Sequence, residues 1–110
     1  MWTRDRRVMS LEKAHYKISG LPAWIAGFTD RGILRDGYAA DIIVYDQEKL
    51  GFLYDNPVYA TDFPGGERRL IQKAKGIRYT IVNGAITFEE SECTHATPGK
   101  FLRSYDMVNR

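Results

Sequence analysis

The stretch IRYTIVNGAITFEE, Ile77 to Glu90, decides how this chain folds. It reads as two short strands joined by Asn83-Gly84. Asn-Gly is the strongest short-range hairpin signal, because both central residues of a type I′ turn need positive φ. A two-residue turn sets Val82 opposite Ala85, Ile81 opposite Ile86, Thr80 opposite Thr87, Tyr79 opposite Phe88 and Arg78 opposite Glu89. In that register Tyr79, Ile81, Ile86 and Phe88 share one face. Arg78, Thr80, Thr87 and Glu89 share the other. An isolated hairpin is marginal in water, so the apolar face requires a partner. Nothing in the hairpin is catalytic chemistry, and function has to be sought elsewhere.

Upstream lies a second strand signal. Asp41-Ile42-Ile43-Val44-Tyr45-Asp46 is a β-branched apolar run closed by aspartates, and it predicts a strand buried on both faces. Asp30-Arg31-Gly32 and Arg35-Asp36-Gly37 read as turns, with Ile33-Leu34 between them as a strand of minimal length. Residues 47–66 have no clear period; a structureless loop of that length is uncommon in a compact domain, so the stretch is functional, packed against something absent, or partly helical around Gln47–Leu50. Glu67–Ala74 alternates weakly and is read as a further strand. After Glu90 come Cys93-Thr94-His95, Pro98-Gly99 and Phe101-Leu102-Arg103.

The amino-terminal part is of another kind. Residues 1–9 are charged, with Arg4, Arg6 and Arg7 clustered. Ser10 is a good N-cap, and Leu11, Ala14, His15 and Ile18 follow at helical spacing. Glu12 in the first turn and Lys17 in the last suit the helix dipole. The spacing predicts a helix over Ser10–Ser19 ended by Gly20. A second short helix starts at Leu21-Pro22 and ends at Gly27, with bulk from Trp24 and Phe28. The order is therefore two helices followed by about four or five mostly antiparallel strands. Segregated elements of this sort predict an α+β fold, here an incomplete β-sandwich that has lost members.

Composition sets bounds. The chain has 110 residues, 44% hydrophobic and 27% charged, with a net charge of +2. That is one soluble-type domain, with too small a charge excess to point to nucleic acid or an anionic membrane. No apolar run approaches the ~18 residues of a membrane span. No apolar segment follows the basic start, so it does not read as a signal peptide. A single cysteine, Cys93, precludes an internal disulfide and suits a reducing cytosol.

Each candidate site residue has a plainer reading beside the chemical one. His15 lies on the apolar side of the first helix with no ligand type four residues away, and reads as a core or interface histidine. Cys93 and His95 have metal-compatible side chains pointing the same way on an extended segment. Structural zinc wants four ligands, and the whole chain holds two histidines and one cysteine. As a nucleophile and base they lack an orienting third group. Asp41 and Asp46 bracket a strand, where aspartate more commonly satisfies turn amides. Gly65-Gly66 lacks the strand–turn–helix context of a phosphate loop. Arg68, Arg69, Lys73, Lys75 and Arg78, with Tyr79 nearby, form a basic stretch that reads as a solvated edge discouraging aggregation rather than a nucleic-acid track. No catalytic, cofactor-binding or metal-binding residue is assigned to this chain.

Taken together, the segments SLEKAHYKISGLPAWIAGFTDRGILRDGYAADIIVYD, DFPGGERRL and YTIVNGAITFEESECTHATPGKFLRS resemble the carboxy-terminal end of the amidohydrolase superfamily. The nearest branch is the D-aminoacylase, or N-acyl-D-amino-acid deacylase-like, group. The likeness covers residues 9–104. It implies a (β/α)₈ barrel carrying zinc plus a small sandwich built from both ends of the polypeptide. On this division residues 1–28 resemble helices at the end of the barrel, and residues 29–110 the carboxy-terminal strands of the composite sandwich. Family activity is hydrolysis of an amide bond by a metal-bound hydroxide. The family's ligands find no counterpart here. His15 sits within a helix, Asp5 lacks the strand and glycine context of the barrel aspartate, and His95 departs from the glycine expected after Thr94.

The resemblance implies a carboxy-terminal, non-catalytic fragment of a zinc-dependent amidohydrolase, with no cofactor in this chain and zinc in the parent family. Another reading is a stand-alone oligomerisation or interaction module without enzymatic activity. Both readings lead to a cytoplasmic homo-oligomer, joined through the Ile42–Tyr45 edge or the apolar hairpin face, with neither membrane nor nucleic acid as partner.

Overall fold

The computed structural model describes residues 6–52 and 57–103. Arg4, Asp5, part of the 47–66 stretch and the end of the chain beyond Arg103 lie outside the described residues.

The helical part is one continuous run rather than two separated helices. It consists of α1 (Leu11–His15), a π turn (Tyr16–Gly20) and α2 (Leu21–Ile25). Ser10 caps it as expected, its Oγ accepting from the Lys13 N–H at 3.2 Å. Gly20, read as a terminator, instead has helical torsions (φ −63, ψ −49). Pro22 supplies the physical reason. It has no N–H for the ladder and its ring crowds the carbonyl four residues back, so the chain widens by one residue before it. Leu21 N–H accordingly donates to Tyr16 O, five residues earlier. The true stop is Gly27, at φ 82. Phe28 N–H reaches Ala23 O at 2.9 Å and Gly27 N–H reaches Trp24 O at 3.1 Å, the paired bonds of a Schellman cap.

From the helix the chain folds back through residues 28–41 without forming the expected Ile33-Leu34 strand. Gly32 makes this return possible. A Cβ there would lie 2.4 Å from that of Ala23, and its φ is +99. The Ser19 hydroxyl donates to Gly32 O at 2.7 Å, locking the loop onto the helix.

The main sheet has four antiparallel strands in the order β1-β6-β7-β8. These are β1 (Ile42–Tyr45), β6 (Ile77–Val82), β7 (Ala85–Glu89) and β8 (Glu92–Cys93). Two small two-stranded sheets accompany it. One joins β2 (Gly51–Phe52) to β5 (Ala74–Lys75), and the other joins β3 (Val58–Ala60) to β4 (Arg69–Ile71). The architecture is α+β with an incomplete sandwich, as the sequence predicts. The stretch 47–66 is less structureless than expected, and Glu67–Ala74 divides between two sheets.

The hairpin forms with Asn83 at φ 48 and Gly84 at φ 82. Val82 faces Ala85 and Ile81 faces Ile86, as the two-residue turn requires. Beyond them the register slips: Thr80 faces Phe88 and Tyr79 faces Glu89. Thr87 is the extra residue of a β-bulge, and its hydroxyl donates to Thr80 O at 3.0 Å. The slip moves Phe88 off the face of Tyr79, Ile81 and Ile86. Alternation across the register puts Ile42, Val44, Tyr79, Ile81 and Ile86 on one face. Ile43, Thr80, Phe88 and Cys93 are on the other. Both faces are therefore apolar, and both need cover.

Neither face is fully covered by the described residues. None of their side chains is fully buried. Ile43 in β1 is 59% exposed and Val44 is 41% exposed, so the strand expected to be buried on both faces is open on both. Ile86 and Phe88 are 42% and 43% exposed. A groove of about 740 Å³ runs between the helical run and β1, with Leu11, Ile18, Ile33, Ile42, Ile43 and Ile77 among its lining. No described helix is long and apolar enough to cross a membrane.

Candidate functional site

The polar groups converge on the hairpin turn. Asp41, one residue before β1, accepts from the Asn83 backbone N–H at 2.8 Å through Oδ1. Through Oδ2 it accepts from Arg31 Nη1 at 2.5 Å. Gly84 N–H donates to Ala40 O at 3.0 Å. The Asn83 carboxamide donates from Nδ2 to Pro98 O at 2.8 Å, fastening the tail. One turn thus ties together the loop before β1, the hairpin and the residue-98 segment. Asp41 does satisfy a turn amide, but one far away in sequence. With one carboxylate, one guanidinium, one carboxamide and backbone groups, all bonded to one another, the cluster acts as a structural clamp.

Asp46 acts locally. Its Oδ1 accepts from Glu48 N–H at 3.0 Å in an Asx-type turn, and its own N–H donates to Gly76 O at 2.7 Å. His15 bridges two layers, as an interface histidine would. Its ring stacks on that of Tyr45 with centroids 5.8 Å apart. Nδ1–H donates to Leu11 O at 3.2 Å, and Nε2 and Tyr45 Oη share a hydrogen bond at 2.8 Å. The contact joins α1 to β1 at one wall of the groove.

Cys93 and His95 do not form the aligned pair that an extended segment implies. His95 has φ 65, which breaks the extended geometry. It is the backbone N–H of His95 that reaches Cys93 Sγ, at 3.3 Å, and the thiol is exposed. Gly65 and Gly66, at φ 82 and φ 74, form a tight turn after Phe63 with Gly66 N–H on Phe63 O at 3.0 Å. The turn lies in the connection between β3 and β4, and no α-helix follows it within the described residues.

The basic stretch is distributed over β4, β5 and β6 rather than along one strand. Arg69 grips Asp62 with two parallel bonds, Nε to Oδ1 at 2.7 Å and Nη2 to Oδ2 at 2.5 Å. Lys73 reaches Glu92 at 2.8 Å and Arg78 reaches Glu90 at 3.4 Å. Arg68 lies over the Tyr59 ring, 4.9 Å from its centroid. The hydrogen bond from Arg69 holds the Asp62 carboxyl below its usual value of 3.8. The folded-state value being depressed, the contribution of the pair to the β3–β4 hairpin is present above that value. It is lost as pH falls through the lower, folded-state one. Lying at the surface, the pair contributes little in either condition.

Among the described residues no three of His, Cys, Asp and Glu converge as metal ligands. The residues that sequence reasoning missed are Arg31, Asn83 and Pro98, the partners that make Asp41 a clamp. The signal within reach was Asn83 itself, whose side chain was read only for its turn conformation.

Comparison with known proteins places the chain. The amidohydrolase family model matches residues 1–88. The chain is 33% identical over 105 residues to the N-acyl-D-aspartate deacylase of Alcaligenes xylosoxydans xylosoxydans, covering 96% of this chain and 19% of that protein. It is 31% identical over 104 residues to the N-acyl-D-glutamate deacylase of the same organism, covering 93% of this chain and 18% of that protein. It is 33% identical over 101 residues to the D-aminoacylase of that organism, covering 92% and 19%. The chain thus spans about a fifth of the length of the curated relatives it matches. No solved structure matches it. With the family match running through helix, β1 and most of the hairpin, this chain belongs to the amidohydrolase family.

Proposed function

We propose that the chain is the carboxy-terminal, non-catalytic part of a zinc-dependent amidohydrolase resembling the N-acyl-D-amino-acid deacylases. Its four-stranded sheet is one layer of a composite sandwich, and its task is to support the catalytic part rather than to break the amide bond. The carrying observation is a mismatch of coverage. The likeness takes in 92–96% of this chain but 18–19% of each relative. The convergent polar cluster at Asn83 supports the same reading, because its hydrogen bonds run between segments of this chain and clamp them together. We assign the metal and the hydrolytic step to the remainder of such an enzyme, since the donors described here do not gather into a site.

The uncovered sheet supports a proposal about partners. In the absence of the rest of an enzyme, the chain associates with copies of itself. The open β1 edge and the apolar residues Ile43, Val44, Ile86 and Phe88 form the contact. We place it in the cytoplasm, where its exposed Cys93 thiol would stay reduced.

The purified chain supplied with zinc is expected to give no turnover of N-acyl-D-aspartate, N-acyl-D-glutamate or neutral N-acyl-D-amino acids above a blank. Release of free amino acid measured by chromatography checks this. Clear turnover abolished by a chelator would overturn the non-catalytic assignment.

A further inference from the structure

Asn83-Gly84 has a second chemistry besides its turn. An asparagine followed by glycine is open to attack on its own carboxamide, because no side chain shields the next backbone nitrogen. Nothing lies within 4 Å of where a Gly84 Cβ would be. The Gly84 nitrogen attacks Asn83 Cγ, a C–N bond forms, and Nδ2 departs as ammonia with the proton from Gly84. Water then opens the resulting succinimide at either carbonyl, leaving an aspartyl or isoaspartyl residue. The neighbouring candidates differ: Asn56 precedes Pro57, which has no N–H to give up, and Asn109 precedes the bulky Arg110.

The fold holds both reacting groups apart. Gly84 N–H is committed to Ala40 O at 3.0 Å and the Asn83 carboxamide to Pro98 O at 2.8 Å. Asp41 grips the Asn83 backbone N–H at 2.8 Å, keeping the residue in the left-handed turn conformation. We propose that Asn83 is a deamidation site gated by these three hydrogen bonds, so that its conversion reports opening of the hairpin clamp. Conversion is not neutral. It removes the donor to Pro98 O and sets a new carboxylate beside Asp41, so each event loosens the clamp that had prevented it.

The test is peptide mass spectrometry of the full chain over time at neutral pH, in buffer and in concentrated guanidinium. Conversion at Asn83 is expected to be slower in buffer by about tenfold or more, the ratio that corresponds to ~1.4 kcal/mol of gating. Asp41→Ala is expected to speed conversion in buffer and leave the rate in guanidinium unchanged. Equal rates for the wild-type chain in the two solvents would overturn the proposal, whatever the variant does. So would an unaltered buffer rate in Asp41→Ala.

Discussion

Replacing Gly32 with valine is expected to lower the stability of the chain by about 3 kcal/mol, from overpacking of roughly 1–3 kcal/mol plus left-handed backbone strain of roughly 1–2 kcal/mol. Both contributions have a visible source. The added Cβ would stand 2.4 Å from the Ala23 Cβ and 3.1 Å from Ser19 O, and the residue sits at φ +99. Neither neighbour can withdraw, because Ala23 and Ser19 belong to the helical run and Ser19 already bonds Gly32 O. Gly37 supplies the control. It too has positive φ, +83, but nothing lies within 4 Å of its Cβ position. Gly37→Ala should therefore cost only the backbone part, about 1 kcal/mol. Chemical denaturation of the two variants beside the parent separates clash from strain. Equal losses would mean that the helix and the returning loop are not packed as described.

Asp41→Ala is expected to cost about 2 kcal/mol, the range of a hydrogen bond to a charged group. The carboxylate serves the Asn83 N–H and the Arg31 guanidinium together. Truncation leaves Arg31, whose side chain is only 12% exposed, with the more distant Asp30 at 3.9 Å as its carboxylate partner. Asp41→Asn keeps an acceptor for the Asn83 N–H and loses the ion pair, so it should recover about half of the loss. Denaturation midpoints check both, and a neutral Asp41→Ala would remove the clamp from the account. The companion change Arg31→Ala should cost less in the Asp41→Ala background than in the parent, because the two residues act on one another.

How far the sequence foretold this depends on whether each signal was local. Asn83-Gly84 was legible because positive φ at two successive positions is a demand that those residue types meet alone. The following hairpin, between β7 and β8, was not. It turns on Glu90 and Ser91, at φ 48 and φ 68, residues that do not advertise a left-handed turn. The bulge at Thr87 was hidden for a related reason, since Ala85-Ile86-Thr87-Phe88 alternates well enough to suggest unbroken pairing. Gly20 misled because glycine is a common helix terminator, while Pro22 two residues later actually set the backbone there. β1 was placed correctly and its burial was not. A β-branched run implies cover on both sides, but composition cannot say which polypeptide supplies it.

The site divides in the same way. That Asp41 would hold a backbone amide was legible, and that the amide would be Asn83, 42 residues on, was not. His15 as an interface residue followed from its place on the apolar helix side. Its Tyr45 partner depended on how α1 meets β1. The family was legible from ordered motifs spread over helix, strand and hairpin, and the family match along residues 1–88 agrees.

On the function proposed above, this sheet is one layer whose apolar faces are completed by other polypeptide. Sedimentation equilibrium of the purified, reduced chain across the micromolar range tests it most directly. Specific association through such faces buries area of the order of 1,200–2,000 Å². A concentration-dependent mass above that of the 12.6 kDa monomer is expected. Replacing Ile43 and Phe88 with polar residues is expected to shift the equilibrium toward monomer. A single monomeric species at every concentration would contradict it.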